Sequence, residues 1–210
     1  MPSSHKFEHR HVLKTLVTAR GGLSLIEQDF AIEAQVERET ADWVPMWVDL
    51  EHAVRSTRHQ ATAYRAITDD GILLWYVRHD KKKRGYHSRA STAVDAFADA
   101  AQTWQTRRAI KRNWDQLKAL QTDVLMGRKT VDVTIEDARA GGLCTLGIEG
   151  FMRRFGIANR TRISGRLAAL LMKVEPQMGF ALYRAAFAKG LLPHPDVEVA
   201  PTKALGLPAT

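Results

Sequence analysis

Apolar residues in the first sixty positions recur mostly at steps of three or four, which is the spacing of one helix face. This pattern predicts a helix over residues 11–19, followed by a helix that Ser24 caps and that runs to Val36. Pro45 starts or breaks the next element, and the same spacing predicts a third helix over residues 47–60.

The period then changes to that of extended chain. Two short stretches, residues 64–68 and 72–77, flank Asp69-Asp70-Gly71, and a glycine can take the positive φ that a hairpin turn requires. A third short strand is predicted around residues 85–87. The basic quartet KKKR, residues 81–84, would then form the tip of a solvated loop.

Helical spacing returns after Ser91 and Thr92, either of which can cap a helix that extends to about Met126. At a rise of 1.5 Å per residue such a helix would be about 50 Å long, so it should span the molecule or break near Arg107. Start and stop signals predict further short helices at residues 135–140, 146–155, 164–174 and 176–189.

Together these elements predict an α+β protein that is mainly α. It would have a small N-terminal part of helices and a β-hairpin, a long central helix, and a C-terminal bundle of short helices. The predicted boundaries are 1–90 for the helices and the hairpin, 91–127 for the connecting helix, 128–192 for the bundle and 193–210 for a loosely held tail.

Residues 134–154, TIEDARAGGLCTLGIEGFMRR, have the spacing of a helix-turn-helix unit inside this bundle. A small residue between the helices, a glycine in the turn and an aliphatic residue in the second helix occur as Ala138, Gly142 and Ile148, and Thr145 can cap the second helix. Two glycines would weaken that helix by about 1 kcal/mol each. The same spacing also suits a helix packed closely in a core.

Composition limits the class of protein. A chain of 210 residues, 45% of them hydrophobic, can bury one substantial core or two small ones. No window approaches the roughly 18 apolar residues of a membrane span, and the first residues lack the apolar core of a signal peptide, so we expect a cytoplasmic protein with no membrane partner. The lone Cys144 excludes an internal disulfide and a multi-cysteine zinc site.

Charge is unevenly distributed along the chain. The formal net charge is +8, but residues 27–51 contain eight acids and one base, a net of −7, so the rest of the chain carries +15. This separation is expected where one face binds an anion and another face meets a basic partner.

Three basic clusters carry most of the excess. The loop cluster consists of Lys81, Lys82, Lys83, Arg84 and Arg89. The helix cluster consists of Arg107, Arg108, Lys111 and Arg112. The arginine cluster consists of Arg153, Arg154, Arg160, Arg162 and Arg166. Like charges four residues apart in a helix repel by a few tenths of a kcal/mol, and phosphates would relieve this. Solvated faces, or pairing with the acidic segment, are the alternatives.

Enzymatic chemistry has weaker support. Asp70 followed by Asp80-x-Lys82 superficially resembles the pattern of a metal-dependent nuclease, but one strand over residues 70–80 would separate the two carboxylates by about 33 Å. Cys144 has no identifiable histidine partner in the sequence. No catalytic residue, metal site or cofactor is therefore predicted.

The sequence thus predicts a nucleic-acid-binding regulatory or accessory protein without catalysis, with duplex DNA as the expected ligand and RNA as the alternative. All residues of the three basic clusters, together with Thr145, are the candidate contacts. The rival hypothesis is an adaptor or inhibitor that acts on a nucleic-acid-processing complex and binds another protein through segment 27–51 or through its basic faces. An accessory protein of a phage or mobile element would fit this role.

Overall fold

The computed structural model of the chain describes residues 15–16, 36–41, 43–81 and 85–195, with only the backbone of Val36. The chain divides into two compact units. The first unit comprises Met1–Trp104 and Leu143–Arg160, and the second comprises Gln105–Gly142 and Thr161–Thr210. Each unit is therefore assembled from two separate stretches of the chain.

The first unit contains a five-stranded antiparallel sheet whose strands follow one another in chain order. The strands are β1 Val36–Ala41, β2 Val44–Ser56, β3 Ala61–Thr68, β4 Leu73–His79 and β5 Gly85–Ser88. The hairpin predicted around Gly71 is confirmed, because Gly71 has φ +84° and β3 pairs with β4. The short third strand is confirmed as β5, whereas residues 82–84 lie outside the described part of the chain.

Six helices have both ends within the described ranges, and they are numbered here in chain order: α1 Ala93–Arg112, α2 Trp114–Leu125, α3 Ile135–Ala140, α4 Thr145–Arg154, α5 Gly165–Val174 and α6 Met178–Ala188. Helix α1 begins after Thr92, whose Oγ1 accepts a hydrogen bond of 3.1 Å from the amide of Asp95. The single long central helix is not formed. It is interrupted at Asn113, which has φ −102° and ψ 24° and is buried.

The predicted helix over residues 47–60 is wrong, since these residues lie mostly in strand β2. The sheet has apolar residues on both faces here. Met46 and Val48 pack in a cluster with Leu146 of α4, whereas Trp47 between them faces the other way. In a strand that is buried on both faces, apolar residues no longer alternate with polar ones, so the period of two that identifies a strand is lost. Apolar residues can then be spaced three or four apart although the segment is not a helix.

Helices cover the two faces of this sheet. On one face Trp75 and Val77 pack against Phe97 and Trp104 of α1. On the other face Leu74 and Tyr76 pack with Leu146 of α4. Successive residues of β4 point to opposite faces, so its continuous apolar run LLWYV follows from burial on both sides.

Helix α6 is the centre of the second unit. Most of its side chains are buried, from Met178 through Ala186, and helices α2, α3 and α5 all contact it. A two-stranded antiparallel sheet of β6 Asp132–Thr134 and β7 Arg162–Ser164 completes the unit. The predicted tail 193–210 falls mostly outside the described residues, which end at position 195.

The prediction of a mainly α protein with a C-terminal helix bundle is wrong. The four predicted short helices do form, and Gly142 takes φ +83° in the turn before α4. However, α3 belongs to the second unit, whereas α4 belongs to the first and buries Leu146 against the sheet. The two helices of the predicted helix-turn-helix pair thus serve different cores, and the fold is an α+β mixture built on an antiparallel sheet.

The segments 11–19 and 24–36 that were predicted as helices lie largely outside the described residues, although Val36 itself begins strand β1. None of the helices in the described part of the chain combines the length and apolar character that a membrane span requires.

Candidate nucleic-acid interface

Positive charge is concentrated in the second unit. Its described residues include 13 Lys and Arg against 6 Asp and Glu, a net of +7. The described residues of the first unit include 10 of each sign, a net of zero. Among the described residues, the attraction for an anion is therefore greater in the second unit, where a basic helix end is the most concentrated feature.

The helix cluster occupies the last two turns of α1. Arg108, Lys111 and Arg112 are exposed on the side of the helix opposite the buried Ala109 and Ile110. No ion pair joins any of these three cations to a carboxylate among the described residues. Their charges are consequently available to a ligand.

Arg107 has a different role from its three neighbours. It is half-buried, its Nε donates a hydrogen bond of 2.8 Å to the carbonyl of Gly142, and its guanidinium lies 5.6 Å from the centroid of the Phe180 ring. Lys111 Nζ lies 5.9 Å from the same centroid. Arg107 thus binds the chain that follows α3 and holds the helix end against Phe180.

Two members of the arginine cluster lie on the β6–β7 side of the second unit. Arg162 is exposed and forms an ion pair of 3.8 Å with Asp132 of the neighbouring strand. Arg166, the second residue of α5, is exposed and has no ion pair with a described carboxylate. Within the arginine cluster, Arg162 is the member that an ion pair with a described carboxylate neutralises, so pairing of this kind does not account for that cluster in the described part of the chain.

The other members of the arginine cluster belong to the first unit. Arg153 and Arg154 are exposed in the last turn of α4, and Arg160 is exposed in the loop that follows. Thr145 is the first residue of α4 and is half-buried, but it is not the cap. The Sγ of Cys144 accepts the capping hydrogen bond from the Gly147 amide at 3.3 Å.

Three half-buried aromatic rings meet one another in the same unit, and two of them, Phe151 and Phe155, flank the arginine pair at the end of α4 in the sequence. The Trp43 ring centroid is 6.4 Å from that of Phe151 and 6.1 Å from that of Phe155, and the two phenylalanine rings are 4.6 Å apart. The sequence shows the spacing of four between Phe151 and Phe155, but it does not show that a hairpin tip brings Trp43 to them. This aromatic group was missed for that reason.

The backbone at Trp43 is unusual. Its φ of +67° lies in the left-handed region, where a bulky side chain is an outlier that costs of order 1–3 kcal/mol. The tight contact is made with Gly150, where an added Cβ would lie 2.4 Å from the Trp43 carbonyl oxygen. Packing of the hairpin tip on α4 therefore stabilises a conformation that the residue type disfavours.

A buried thiol and imidazole also meet in the first unit. The Sγ of Cys144 lies 3.2 Å from Nδ1 of His87 on β5, and the His87 ring stacks on Tyr76 with centroids 5.4 Å apart. The sequence did not identify this partner because 57 residues separate the two positions. Both side chains are buried, so the pair ties α4 to the sheet.

The loop cluster is described only in part. Lys81 and Arg89 are exposed, whereas Lys82, Lys83 and Arg84 lie outside the described residues. Asp80 accepts a hydrogen bond of 3.0 Å from Thr62 and pairs with Arg55 at 3.7 Å, and strand β4 separates it from Asp70. The two carboxylates of the nuclease pattern are therefore at opposite ends of one strand.

Metal-ligating side chains do not gather in the described part of the chain, where no group of three or more His, Cys, Asp or Glu could hold an ion. Comparison with protein-family models, with curated proteins and with solved structures found no match for this chain.

Proposed function

We propose that this protein binds nucleic acid, with duplex DNA as its ligand, and acts as an accessory or regulatory factor without chemistry of its own. The observation that carries the proposal is the end of α1, where Arg108, Lys111 and Arg112 are exposed and form no ion pair with a described carboxylate, in a unit whose described residues have a net charge of +7. The proposed compartment is the cytoplasm, as composition predicts.

Electrostatics explains why this surface suits phosphates. Arg108 and Arg112 are four residues apart on one side of the helix, so this pair is destabilising until an anion neutralises it. Every phosphate contact releases condensed counterions, which lowers the logarithm of affinity by about 0.9 per contact for each tenfold rise in salt. Contacts of this kind position a duplex and do not read its sequence.

The test is a triple variant, Arg108→Ala, Lys111→Ala and Arg112→Ala, titrated against mixed-sequence duplexes by fluorescence anisotropy at several salt concentrations. We expect weaker binding on every sequence and a salt slope reduced by about 2 to 3, because up to three phosphate contacts are lost. Competition with an RNA duplex of equal length identifies the preferred ligand.

The chain offers a matched control in the same unit. Lys118, Arg128 and Arg139 each form an ion pair, with Asp115, Asp123 and Glu136 respectively. Replacing these three with Ala removes the same net charge, but we expect most of the affinity to remain. Equal losses of duplex affinity in the two triple variants would mean that only the net charge of the unit matters. An unchanged salt slope in the variant of Arg108, Lys111 and Arg112 would show that the end of α1 does not contact the duplex.

A second candidate function is the binding of another protein through helix α5. Leu167, Leu170 and Val174 are 36%, 47% and 69% exposed and succeed one another at steps of three and four, with Arg166 and Lys173 beside them. An apolar row of this kind is typical of a surface that takes a partner helix. A partner that stays bound after nuclease treatment, and is lost with Leu170→Asp, would favour this function.

A further inference from the structure

We infer that Trp43, Phe151, Phe155 and Arg154 form a platform on the first unit that stacks an unpaired base of single-stranded nucleic acid. This inference rests on the proposed function and extends it, because the helix cluster belongs to the other unit and contacts only phosphates. The platform would give the protein a second mode of binding, directed at unpaired nucleotides.

Helical spacing places Arg154 on the side of α4 that carries the rings. It comes four residues after Gly150, which touches the Trp43 backbone, and three residues after Phe151. Residues three and four apart lie on the same side of a helix, so Arg154 shares the side of α4 that meets Trp43. Arg154 is exposed and has no ion pair with a described carboxylate.

Aromatic rings beside an arginine suit the chemistry of a nucleotide. Half-buried rings offer surface for stacking, and the arginine offers a bidentate contact for phosphate. A single-stranded nucleotide presents both a flat ring and a phosphate, and every base can stack. Sequence preference is therefore expected to be small.

Other ligands of aromatic clusters fit less well. Quaternary ammonium groups bind among aromatic rings through cation–π attraction, but the positive charge of Arg154 would repel such a ligand. Glu149 is the exposed acid of α4, and five residues place it about 140° around the helix from Arg154. Within α4, the side that carries the rings therefore has Arg154, and Glu149 lies away from it.

The strained backbone agrees with a functional role for the tip. A two-residue turn between β1 and β2 most often has glycine or asparagine at positions of positive φ, yet Trp43 stands there with φ +67°. Asn would fit the turn without an aromatic ring. The local backbone conformation therefore does not explain why this position has an aromatic side chain.

The experiment measures binding of a fluorescein-labelled oligo-dT single strand and of a mixed-sequence duplex to the full chain. In Trp43→Asn, which keeps a residue suited to the turn, we expect at least a fivefold loss of single-strand affinity with duplex affinity unchanged. Trp43→Phe, which keeps an aromatic ring, should retain single-strand affinity within about twofold. Arg154→Gln should flatten the single-strand salt slope more than the matched control Arg153→Gln.

Urea unfolding of each variant shows whether the fold is kept. Single-strand affinity unchanged in Trp43→Asn, or reduced equally on both ligands, would overturn the platform, as would a wild-type chain that does not bind oligo-dT. If duplex binding through the helix cluster persists in that case, the proposed function stands and only this inference fails. If the chain binds oligo-dT through Trp43 but ignores the duplex, the platform stands and the duplex proposal fails.

Discussion

Cys144 connects two elements of the first unit through one side chain. Its Sγ accepts the hydrogen bond that caps α4 and contacts the ring nitrogen of His87 on β5. Cysteine is an uncommon cap, since Ser, Thr, Asp and Asn accept this hydrogen bond more strongly. Cys144 and its neighbour His87 are both buried.

We expect Cys144→Ala to lower the free energy of unfolding by about 1–2 kcal/mol, because the Gly147 amide loses its acceptor and His87 loses a partner. Cys144→Ser keeps an atom that both donates and accepts, so it should cost less than the alanine variant. Urea unfolding of the two variants measures the difference. Equal losses would show that the volume of the sulfur, and not its hydrogen bonds, stabilises this site.

Tyr183 has a predictable effect on stability at high pH. Its hydroxyl donates a hydrogen bond of 2.9 Å to the carbonyl of Pro193, and burial raises the pKa of this phenol above its ordinary value of 10.0, against smaller opposing effects of Asn113 and Arg184. Because the folded pKa exceeds the unfolded one, the contribution to stability is complete below pH 10.0 and is lost as pH rises through the folded pKa.

Tyr183→Phe should therefore lose stability less steeply than the wild type above about pH 10. At neutral pH it should be less stable by about 1 kcal/mol, since the hydrogen bond to Pro193 is absent. Urea midpoints from pH 8 upward for both proteins measure this, with Tyr64→Phe as the control for removal of a hydroxyl. Parallel curves for wild type and Tyr183→Phe would contradict the assignment.

At the scale of elements, close contact between α4 and the β1–β2 hairpin depends on Gly150. Alanine would favour the helix by about 1 kcal/mol, but its Cβ would stand 2.4 Å from the Trp43 carbonyl oxygen, which is backbone and cannot rotate away. We expect Gly150→Ala to be destabilised by about 1–3 kcal/mol overall, as in other overpacked contacts. The control is Glu149→Ala, an exposed neighbouring position where the free energy of unfolding should change little. If Gly150→Ala had a higher free energy of unfolding than the wild type, the hairpin tip would have moved away from the added Cβ, and the close contact would not be required.

The elements differ in how far the sequence predicts them, and the reason is the range of the interactions that form them. Helix α3 was predicted because its capping box, Thr134 with Asp137, is local, and both reciprocal hydrogen bonds are present. Strand β2 was not, because the burial of Met46 and Val48 depends on other strands and on Leu146 of α4, which lies far along the chain. The turn at Trp43 also has no local signal.

The candidate site shows the same division. The exposed cations at the end of α1 were predicted, since spacing alone places Arg108 and Arg112 on one side of a helix. The hydrogen bond of Arg107 to Gly142 and the approach of Trp43 to Phe155 require the folded chain. The hydrogen bond shows that Arg107 has a structural role, whereas Arg108 and Arg112 remain exposed to a ligand. The pattern of charges in the sequence does not distinguish these two roles.

At the scale of the whole molecule, the described residues partition into a neutral unit and one of net charge +7. The two binding proposals match this partition. Phosphate contacts at the end of α1 should dominate the salt dependence of affinity, and stacking on Trp43 should contribute affinity that salt changes little. Measurements on the two ligands at different ionic strengths therefore report on the two units separately.

The interleaved course of the chain has a consequence for its synthesis. Strands β1 to β5 have all left the ribosome soon after Ser88 is made, yet α4, which packs on Met46, Leu74 and Tyr76, begins only at Thr145. Translation must therefore add α1, α2 and α3 before the sheet receives this helix. If translation stalls in that interval, the apolar residues of the sheet that α4 covers remain exposed. A chaperone that binds apolar surface would therefore bind the nascent chain most strongly at this stage.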